Sequence, residues 1–430
     1  MPNLACLDDG VMTRAPGGDA ERLPSRTDVL VVGAGPAGSA AAAWAVRAGH
    51  DVVLADSATF PRDKTCGDGL TPRALAELDR LGVGEWVRSR GINRGLRLTG
   101  FGQELELEWP GGSLPKVGSA VPRSELDDAI RRAAVDDGAV MASGAKAVEV
   151  TRDGNRVRSV TFDTAAGPQT VECTTLIVAD GVRSPVGKKL GREWHRDTVY
   201  GVAARAYVTS ARSSDEWITS HLELRDAAGT LQAGYGWVFP LGTGEVNLGV
   251  GTLATAKRPA GGALRPLLEL YASQRESDWG LSGEVRGYAS ALLPMGGAVS
   301  NVAGENWAII GDAAACVNPL NGEGIDYGLE GGRLVADVLR EKDLTEVWPA
   351  ILREHYGQSF SVARRLAGLL TLPRFLPAAG PVGMRSTALM RIAVRCMGNL
   401  ITESDSDVVA RAWRASGSTS LKVDSRPPFS

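Results

Sequence analysis

The stretch Asp28-Val-Leu-Val-Val-Gly33-Ala-Gly35-Pro-Ala37-Gly38 joins an apolar run to a glycine-rich turn. An apolar run bounded by glycine is typical of a buried parallel strand, and the alanine-rich residues 36–49 predict a helix directly after it. In this context Gly33 permits a tight turn, Gly35 lets the backbone approach a pyrophosphate, and Gly38 allows the helix to pack closely on the strand. The stretch therefore predicts a dinucleotide-binding unit.

An acidic residue after the next strand strengthens this prediction. Residues 51–56 form a second apolar run that ends at Asp56, and a carboxylate at that position can accept hydrogen bonds from ribose hydroxyls. The N-terminus of the intervening helix offers free N–H groups to the phosphates. The fingerprint alone does not distinguish FAD from NAD.

The composition argues against several other classes of protein. The chain has 430 residues, a formal net charge of −3 and 23% charged residues. It is therefore long enough for two or three packed units, and no overall field favours nucleic acid. The five cysteines include no Cys-x-x-Cys pair, which indicates a reducing compartment and argues against a disulfide framework or a zinc site. No metal is expected.

Two regions bear on membrane contact. Residues 1–26 lack a basic end followed by an apolar core, so we expect a disordered tail rather than a secretory signal.

No run of about 18 apolar residues is present, so a membrane-spanning helix is not expected. Residues 356–400, however, contain arginines and no Asp or Glu. In a helix over residues 386–400, apolar side chains would share one face while Arg391 and Arg395 lie together on another. This pattern fits either a core-facing helix with a solvated basic side or an element that contacts lipid.

A second glycine-rich motif identifies the dinucleotide. Gly311-Asp312-Ala-Ala-Ala-Cys-Val-Asn-Pro-Leu-Asn-Gly322-Glu-Gly324 follows an apolar run and precedes a predicted helix. It resembles a motif of FAD enzymes of the p-hydroxybenzoate hydroxylase type. The resemblance implies that Asp312 holds the ribityl chain and that Gly322 and Gly324 expose N–H groups to the isoalloxazine. A helix that begins near Gly324 would direct its dipole at the flavin and stabilise its anionic reduced form.

Two further positions match the same superfamily. Asp180-Gly181 follows a predicted buried strand and resembles the superfamily's Asp-Gly motif, which lies near the dinucleotide. Arg123 opens a predicted helix at residues 123–134, where the superfamily places an arginine on FAD. The resemblance therefore implies FAD as the cofactor.

These motifs and the patterns between them predict an α/β fold, α+β overall. Residues 27–197 and 294–340 are expected to form a discontinuous Rossmann-type FAD-binding domain. Alternating patterns at 199–208, 221–224, 234–239 and 245–251 predict an inserted antiparallel sheet, the substrate domain, over residues 198–293. Residues 341–430 are expected to form a helical C-terminal region, with helices to about residue 414.

A motif in the predicted sheet concerns the substrate. Gly234-Tyr235-Gly-Trp237-Val-Phe-Pro240 resembles the Pro-x-x-Tyr-x-Trp-x-Phe-Pro motif of the geranylgeranyl reductase family, whose aromatic residues help to shape a prenyl-chain tunnel near the flavin. Gln232 replaces the first proline, so a different approach to the pocket is expected. Taken alone, the stretch would also fit a strand with ordinary core aromatics. The resemblance covers nearly the whole chain from Asp28 and is greatest for members that reduce menaquinone.

The resemblance implies an FAD-dependent reductase that saturates a C=C bond of an isoprenoid chain, such as one isoprene unit of the menaquinone tail. A prenyl lipid is then the substrate, and the enzyme is expected in the cytoplasm, peripheral at the inner face of the cell membrane. The electron donor is left open between NAD(P)H and a reduced protein carrier. The alternatives are an FAD-dependent monooxygenase of an aromatic metabolite and a flavin-binding protein without catalysis. Ala315, where hydroxylases often have His, disfavours the monooxygenase.

The expected chemistry limits the catalytic candidates. An isolated alkene has no carbonyl to accept electron density, so proton donation must accompany hydride delivery. Tyr235 and Trp237 are expected either to stabilise positive charge or only to form tunnel wall. Cys66, within Phe60-Pro-Arg-Asp-Lys-Thr-Cys66-Gly-Asp-Gly-Leu70, matches a cysteine that the family carries near the isoalloxazine. It is expected to be the proton donor or part of the pocket wall, with Glu323 and Asp68 as alternative acids.

Overall fold

The predicted glycine turn follows a central strand of a mainly parallel sheet. The computed structural model describes residues 22–430. The strands are β1 (Arg26–Val32), β2 (Val52–Ala55), β3 (Gly69–Leu70), β4 (Gly95–Gly100), β5 (Gln103–Glu108), β6 (Ser119–Ala120), β7 (Val140–Ala142), β8 (Lys146–Asp153), β9 (Arg156–Thr164), β10 (Gly167–Val178), β11 (Glu193–Trp194), β12 (Tyr200–Ser210), β13 (Trp217–His221), β14 (Gly234–Pro240), β15 (Glu245–Ala254), β16 (Leu281–Pro294), β17 (Val299–Ser300), β18 (Ala303–Gly304) and β19 (Trp307–Ile309). The helices are α1 (Pro36–Arg47), α2 (Pro72–Leu81), α3 (Gly84–Arg90), α4 (Arg123–Asp137), α5 (Pro185–Lys189), α6 (Leu264–Trp279), α7 (Ile325–Ala336), α8 (Val347–Leu352), α9 (Gln358–Leu370), α10 (Phe375–Met384), α11 (Thr387–Met397) and α12 (Val408–Lys422).

The first sheet has the strand order β18-β19-β10-β1-β2-β7, and the β8–β9 hairpin joins it at β10. Strand β1 is parallel to β10 and β2, with Val32 opposite Val178 and Ala55. Strand β19 is parallel to β10 on its other side. Because parallel strands end at the same edge of a sheet, the turns after β1, β10 and β19 meet at one edge, where α/β proteins bind their ligands.

Small residues bring two helices together above this edge. Pro36 occupies the first position of α1, where its fixed φ and missing N–H cost nothing. The alanines that follow are buried, and Gly332 of α7 lies so close that a Cβ there would be 2.7 Å from the Ala37 carbonyl oxygen. A Cβ on Gly311 would lie 2.8 Å from the Ala37 Cβ. Ala37 is therefore where α1, α7 and the turn after β19 pack against one another.

The second sheet has the order β16-β12-β15-β14-β13-β4-β5, and α6 packs on β12, β15 and β16. Its pairs are antiparallel except for β13 with β4.

The observed sheet is larger than the predicted one. Residues 95–108, which form β4 and β5, were expected in the FAD-binding domain, and α6 was not predicted. Local patterns do not reveal that β4 pairs with a strand more than a hundred residues away. The predicted strand at 221–224 was also misplaced, because β13 is Trp217–His221. The domain boundaries themselves stay a prediction.

The start of the chain differs from the predicted tail of residues 1–26. Residues 1–21 lie outside the described part of the structure. Beyond them, Leu23 packs against the core of the first sheet and its N–H donates to Gln169 Oε1 at 2.8 Å. Strand β1 begins at Arg26, opposite Glu172. Residues 23–26 therefore belong to the folded unit, because Leu23, Ser25 and Arg26 are bound to β10 through their backbone.

The predicted helical C-terminal region is confirmed and extends to Lys422 rather than to about residue 414. Helix α10 packs on β4 and β5, and α11 packs on β5. No residue of α11 is fully buried, and Leu389 and Ile392 are 46% and 43% exposed. Met390 and Val394 on the same helix pack against a core cluster with Leu98, so α11 is covered by the protein on one side only. Arg395 does not share a solvated basic face with Arg391, because Arg395 pairs with Asp407 at 2.6 Å.

Candidate active site

One cavity of about 1150 Å³ connects the turn after β1 with helices α10 and α11. The predicted site residues on its wall are Gly33, Gly35, Ala37, Asp56, Cys66, Arg123, Asp180, Gly181, Tyr235, Trp237, Asp312, Gly322 and Gly324. Gly38 lies beneath the turn instead, where a Cβ would overlap the carbonyl oxygen of Gly33. The structure thus brings the predicted residues to one place, while their individual roles stay predictions.

The glycine turn and Asp56 form one end of the cavity. Gly33 has φ +104°, and a Cβ there would overlap the carbonyl oxygen of Ala179, so only glycine fits. The Asp56 carboxylate accepts hydrogen bonds from the N–H of Ala34 at 2.7 Å and of Ala58 at 2.8 Å. The backbone therefore fixes this carboxylate in an orientation in which its remaining lone pairs can accept from ribose hydroxyls.

Arg123 is held at the cavity by a buried aspartate. Its guanidinium donates to both carboxylate oxygens of Asp127, at 2.6 and 2.8 Å, and Arg62 donates to the same carboxylate at 3.0 Å. Asp127 is fully buried, whereas both arginines line the cavity. One carboxylate thus orients two cationic groups, so these three side chains together carry one positive charge that can face an anionic cofactor.

Asp180 and Gly181 follow β10 at the same edge of the sheet. The Asp180 carboxylate accepts from Ser184 Oγ at 2.6 Å and from the N–H of Val186 at 2.8 Å. Burial raises the pKa of this carboxyl group, although these hydrogen bonds oppose the shift. Gly181 has φ +72°, and a Cβ there would lie 3.7 Å from Lys64 Nζ.

The loop from Gly311 to Gly324 forms the next part of the wall. Asp312 lies in a 3₁₀ turn, and a Cβ on Gly324 would be 3.0 Å from its Oδ1. Helix α7 begins at Ile325, directly after Gly324, which agrees with the predicted helix. The loop is closed by a hydrogen bond from the N–H of Asn318 to the carbonyl of Glu323 at 2.8 Å. The free N–H groups of the first turn of α7 therefore adjoin the cavity.

These residues fit FAD. Its phosphates would adjoin the turn at Gly33 and Gly35, its ribose Asp56, and its ribityl chain Asp312. Gly35 and Gly322 leave room for the cofactor, since a Cβ at either would meet only side-chain atoms at 3.6 Å or more. The cavity also offers the arginines described above for the negative charge.

Aromatic side chains of β14 form the opposite wall. Tyr235 and Trp237 lie with ring centroids 5.9 Å apart, and Phe239 follows at 6.2 Å from Trp237. The Tyr235 hydroxyl donates to the carbonyl of Asn321 at 2.6 Å, and the Trp237 indole N–H donates to Asn247 Oδ1 at 2.9 Å. Both polar edges are thus occupied, so that the rings offer their apolar faces to the cavity.

Asn247 also fixes the loop that carries Cys66. Its Nδ2 donates to the carbonyl of Cys66 at 2.9 Å and to Asp68 Oδ2 at 2.8 Å. Burial raises the pKa of the Cys66 thiol, although the charge of nearby Arg123 opposes the shift. The thiol therefore stays protonated at neutral pH. Asp68 is fully enclosed, with Tyr207 donating to it at 2.7 Å, so it supports the wall from behind and is a poor candidate for the acid.

The far part of the cavity is apolar. Strands β4 and β13 supply one side, and helices α9 to α11 supply the other. The apolar lining residues there are Leu96, Leu98, Phe101, Ile218, Leu366, Leu370, Phe375, Leu376, Met384, Leu389, Met390, Val394 and Met397. A long hydrocarbon chain could lie in this arm, away from water, with one end beside the aromatic wall.

Sequence analysis did not identify three residues that help to form the site, namely Arg62, Asp127 and Asn247. Arg62 lies in the stretch that contains Cys66, but nothing local indicates its partner. Asp127 follows Arg123 by four residues on a predicted helix, a spacing that places two side chains together and could have indicated the pair. Asn247 lies in an unremarkable strand pattern, and its three contacts come from distant segments.

Comparisons with known proteins identify the family of the chain. A family model described as FAD binding domain matches residues 26–241. The chain is 64% identical over 403 residues to the menaquinone reductase of Mycobacterium tuberculosis, covering 94% of this chain and 98% of that protein. It is 30% identical to digeranylgeranylglycerophospholipid reductase 1 of Methanopyrus kandleri, covering 80% of this chain and 90% of that protein.

A solved structure shares the fold. The geranylgeranyl bacteriochlorophyll reductase-like protein of Thermoplasma acidophilum aligns with a TM-score of 0.74 at 20% identity, covering 91% of this chain and 99% of that one. The predicted fold class and the FAD cofactor are thereby confirmed. The chain is an FAD-dependent oxidoreductase, and it belongs to the menaquinone reductase family.

Proposed function

We propose that the protein saturates one C=C bond in the isoprenoid tail of menaquinone, using FAD. One observation carries the proposal: the residues that fit FAD and a long apolar arm line the same cavity. A polyisoprenoid chain is the kind of molecule that such an arm accommodates, and the 64% identical relative is a menaquinone reductase. The monooxygenase alternative has less support, because the relatives named above, at 64% and 30% identity, are reductases.

The chemistry sets three requirements. Bound FAD, once reduced, supplies a hydride to one alkene carbon. The other carbon must receive a proton before or together with the hydride, so positive charge develops on the carbon that accepts the hydride. The protein therefore has to hold the alkene in place, exclude water and present an acid. The apolar arm meets the first two requirements, since its side chains fix and dehydrate a hydrocarbon chain.

Tyr235 and Trp237 are suited to the developing charge. Because the hydroxyl and the indole N–H are bound to Asn321 and Asn247, the electron-rich ring faces stay directed at the cavity. An aromatic face stabilises a nearby cation by about 0.5–2 kcal/mol. In this proposal Cys66 packs beside them as wall and keeps its proton.

The substrate is a membrane lipid, and we propose that α10 and α11 contact the inner face of the membrane. Leu372, Phe375, Val382, Leu389 and Ile392 are exposed around the apolar arm, with Val382 64% exposed. Arg374, Arg385 and Arg391 are exposed among them, and none forms an ion pair within residues 22–430. Within those residues, no helix has the length and apolarity to cross a bilayer. Apolar groups beside unpaired cations fit a surface of anionic lipid.

The test uses the purified protein with FAD, reduced chemically without oxygen and mixed with unsaturated menaquinone in detergent. After the head group of the lipid has been reoxidised to the quinone, mass spectrometry is expected to show a gain equal to two hydrogen atoms. A gain equal to one oxygen atom after admission of air would support the monooxygenase instead. An unchanged lipid with fully reduced flavin would contradict both functions.

A further inference from the structure

Glu323 presents a carboxyl group on the wall of the cavity, in the loop just before α7. Its Oε1 accepts a hydrogen bond from Thr71 Oγ1 at 2.5 Å. Thr71 is the N-cap of α2, and its oxygen accepts in turn from the N–H of Ala74. The Thr71 hydroxyl proton is therefore committed to Oε1, and one oxygen of Glu323 is fixed as an acceptor.

The other carboxyl oxygen is free. Oε2 is shielded from water, and no group in the described part of the chain forms a hydrogen bond with it. When Glu323 is neutral, its proton belongs on Oε2, because Oε1 already accepts from Thr71. No protein acceptor competes for that proton. This is the arrangement expected of an acid that holds its proton for a molecule in the cavity.

Charged and titratable neighbours favour the neutral form. Burial raises the pKa of Glu323 well above its usual range, and the negative charge of Asp326 adds to the shift. The hydrogen bond from Thr71 and the charge of Arg73 oppose it. Tyr235 and Cys66 also line the cavity, and both are neutral at pH 7, since burial raises their pKa values.

The three groups differ in their suitability as donors. Tyr235 already donates its proton to Asn321, and Cys66 is a weaker acid than a carboxylic acid even before burial raises its pKa. Protonation of an alkene without an activating group requires the strongest acid that still carries its proton at the working pH. Among these three side chains, that acid is Glu323.

We infer that Glu323 is the proton donor of the reductase reaction. The proton leaves Oε2 and binds one alkene carbon, using the electron pair of the broken π bond. The other carbon would take the hydride that FAD supplies when bound and reduced, and the Glu323 carboxylate would regain a proton from solvent after the product leaves the cavity. The inference rests on the proposed function and identifies the acid that it needs.

The experiment follows a single turnover of chemically reduced holoenzyme with menaquinone, by the mass of the lipid after its head group has been reoxidised to the quinone. Glu323→Gln preserves the acceptor for Thr71 and removes the proton, so we expect saturation of the tail to be about 100-fold slower or more with FAD occupancy unchanged. The matched control is Glu341→Gln, which changes an exposed carboxylate beyond the end of α7 that does not line the cavity. We expect this control to react at the rate of the unmodified enzyme.

A second variant tests the pH dependence of the rate, which would not change if Glu323 had only a structural role. Thr71→Val keeps the acid but removes a hydrogen bond that lowers its pKa, so the fall in rate with increasing pH should move to higher pH. A Glu323→Gln rate within about threefold of the unmodified enzyme, or an unmoved pH profile for Thr71→Val, would overturn the inference. If the unmodified enzyme leaves menaquinone unchanged, the proposed function fails instead.

Discussion

Tyr235 of the second sheet donates a 2.6 Å hydrogen bond to the carbonyl of Asn321, in the loop that leads to α7. This bond joins the aromatic wall to the loop that would adjoin the isoalloxazine. The two parts come from segments 86 residues apart, so the contact fixes how the substrate side of the cavity sits over the cofactor side.

Tyr235→Phe tests that link. The ring and its packing remain, but the carbonyl of Asn321 loses its donor, which costs about 1–3 kcal/mol for a buried acceptor. We expect saturation of the menaquinone tail to slow about tenfold, with little change in lipid binding. Tyr288→Phe, on β16 away from the cavity, serves as the control. An unchanged rate for Tyr235→Phe would show that the hydroxyl is dispensable.

Trp237 packs directly on Gly249, and a Cβ on Gly249 would overlap the indole ring. Gly249→Ala should therefore displace Trp237 and lower the free energy of unfolding by about 1–3 kcal/mol. At Gly251, two residues along the same strand, a Cβ would lie 3.5 Å from the ring, which is ordinary contact. Gly251→Ala should leave stability nearly unchanged in urea unfolding. Equal effects of the two substitutions would contradict this packing argument.

The first strand, the glycine turn and α1 were predictable because each depends on residues that are adjacent in the chain. The same is true of α7, which begins directly after Gly324 as expected, and of Arg123 at the start of α4. In these places a local pattern of apolar residues, glycine or proline restricts the backbone by itself. Tertiary packing then only confirms the local preference.

The parts that sequence reasoning missed depend on distant pairings. Strand β4 joins the second sheet through β13, and Asn247 contacts Trp237, Cys66 and Asp68 from three different segments. Neither relationship leaves a periodic signal in the residues concerned. The same holds for the free oxygen of Glu323, since its environment is set by Thr71, more than two hundred residues away.

Cys66→Ala distinguishes the two roles that the sequence left open for this residue. If Glu323 donates the proton, the thiol is wall, and the alanine variant should keep its FAD and lose less than about tenfold in rate. Cys396→Ala, a half-buried cysteine of α11 that does not line the cavity, provides the comparison. A loss of about 100-fold with full FAD occupancy would make the thiol the donor and refute the role of Glu323.

Arg374, Arg385 and Arg391 are expected to bind anionic lipid. Their combined substitution by Gln should reduce the fraction of protein that sediments with vesicles containing anionic phospholipid. The binding free energy should weaken by about 1 kcal/mol for each arginine near the surface. Binding of the unmodified protein should also weaken as salt increases. Substitution of Arg132, Arg158 and Arg265, which are exposed elsewhere, removes the same charge as a control. Equal losses from both triple variants would argue against a specific contact by α10 and α11.

We expect Asp68 to make the folded protein less stable as the pH rises from about 4 to about 7. Burial raises its pKa from 3.8 to about 6, despite hydrogen bonds from Asn247 and Tyr207, so the folded protein binds this proton more tightly than the unfolded chain. The stabilisation is complete below about pH 4 and is lost as the pH rises through about 6. Relative to the unmodified protein, Asp68→Asn should therefore gain up to about 3 kcal/mol in free energy of unfolding between pH 4 and pH 7. Urea unfolding at several pH values measures the difference, with the exposed Asp153→Asn as the control. Parallel pH curves for Asp68→Asn and the unmodified protein would show that Asp68 ionises as freely in the folded protein as in the unfolded chain.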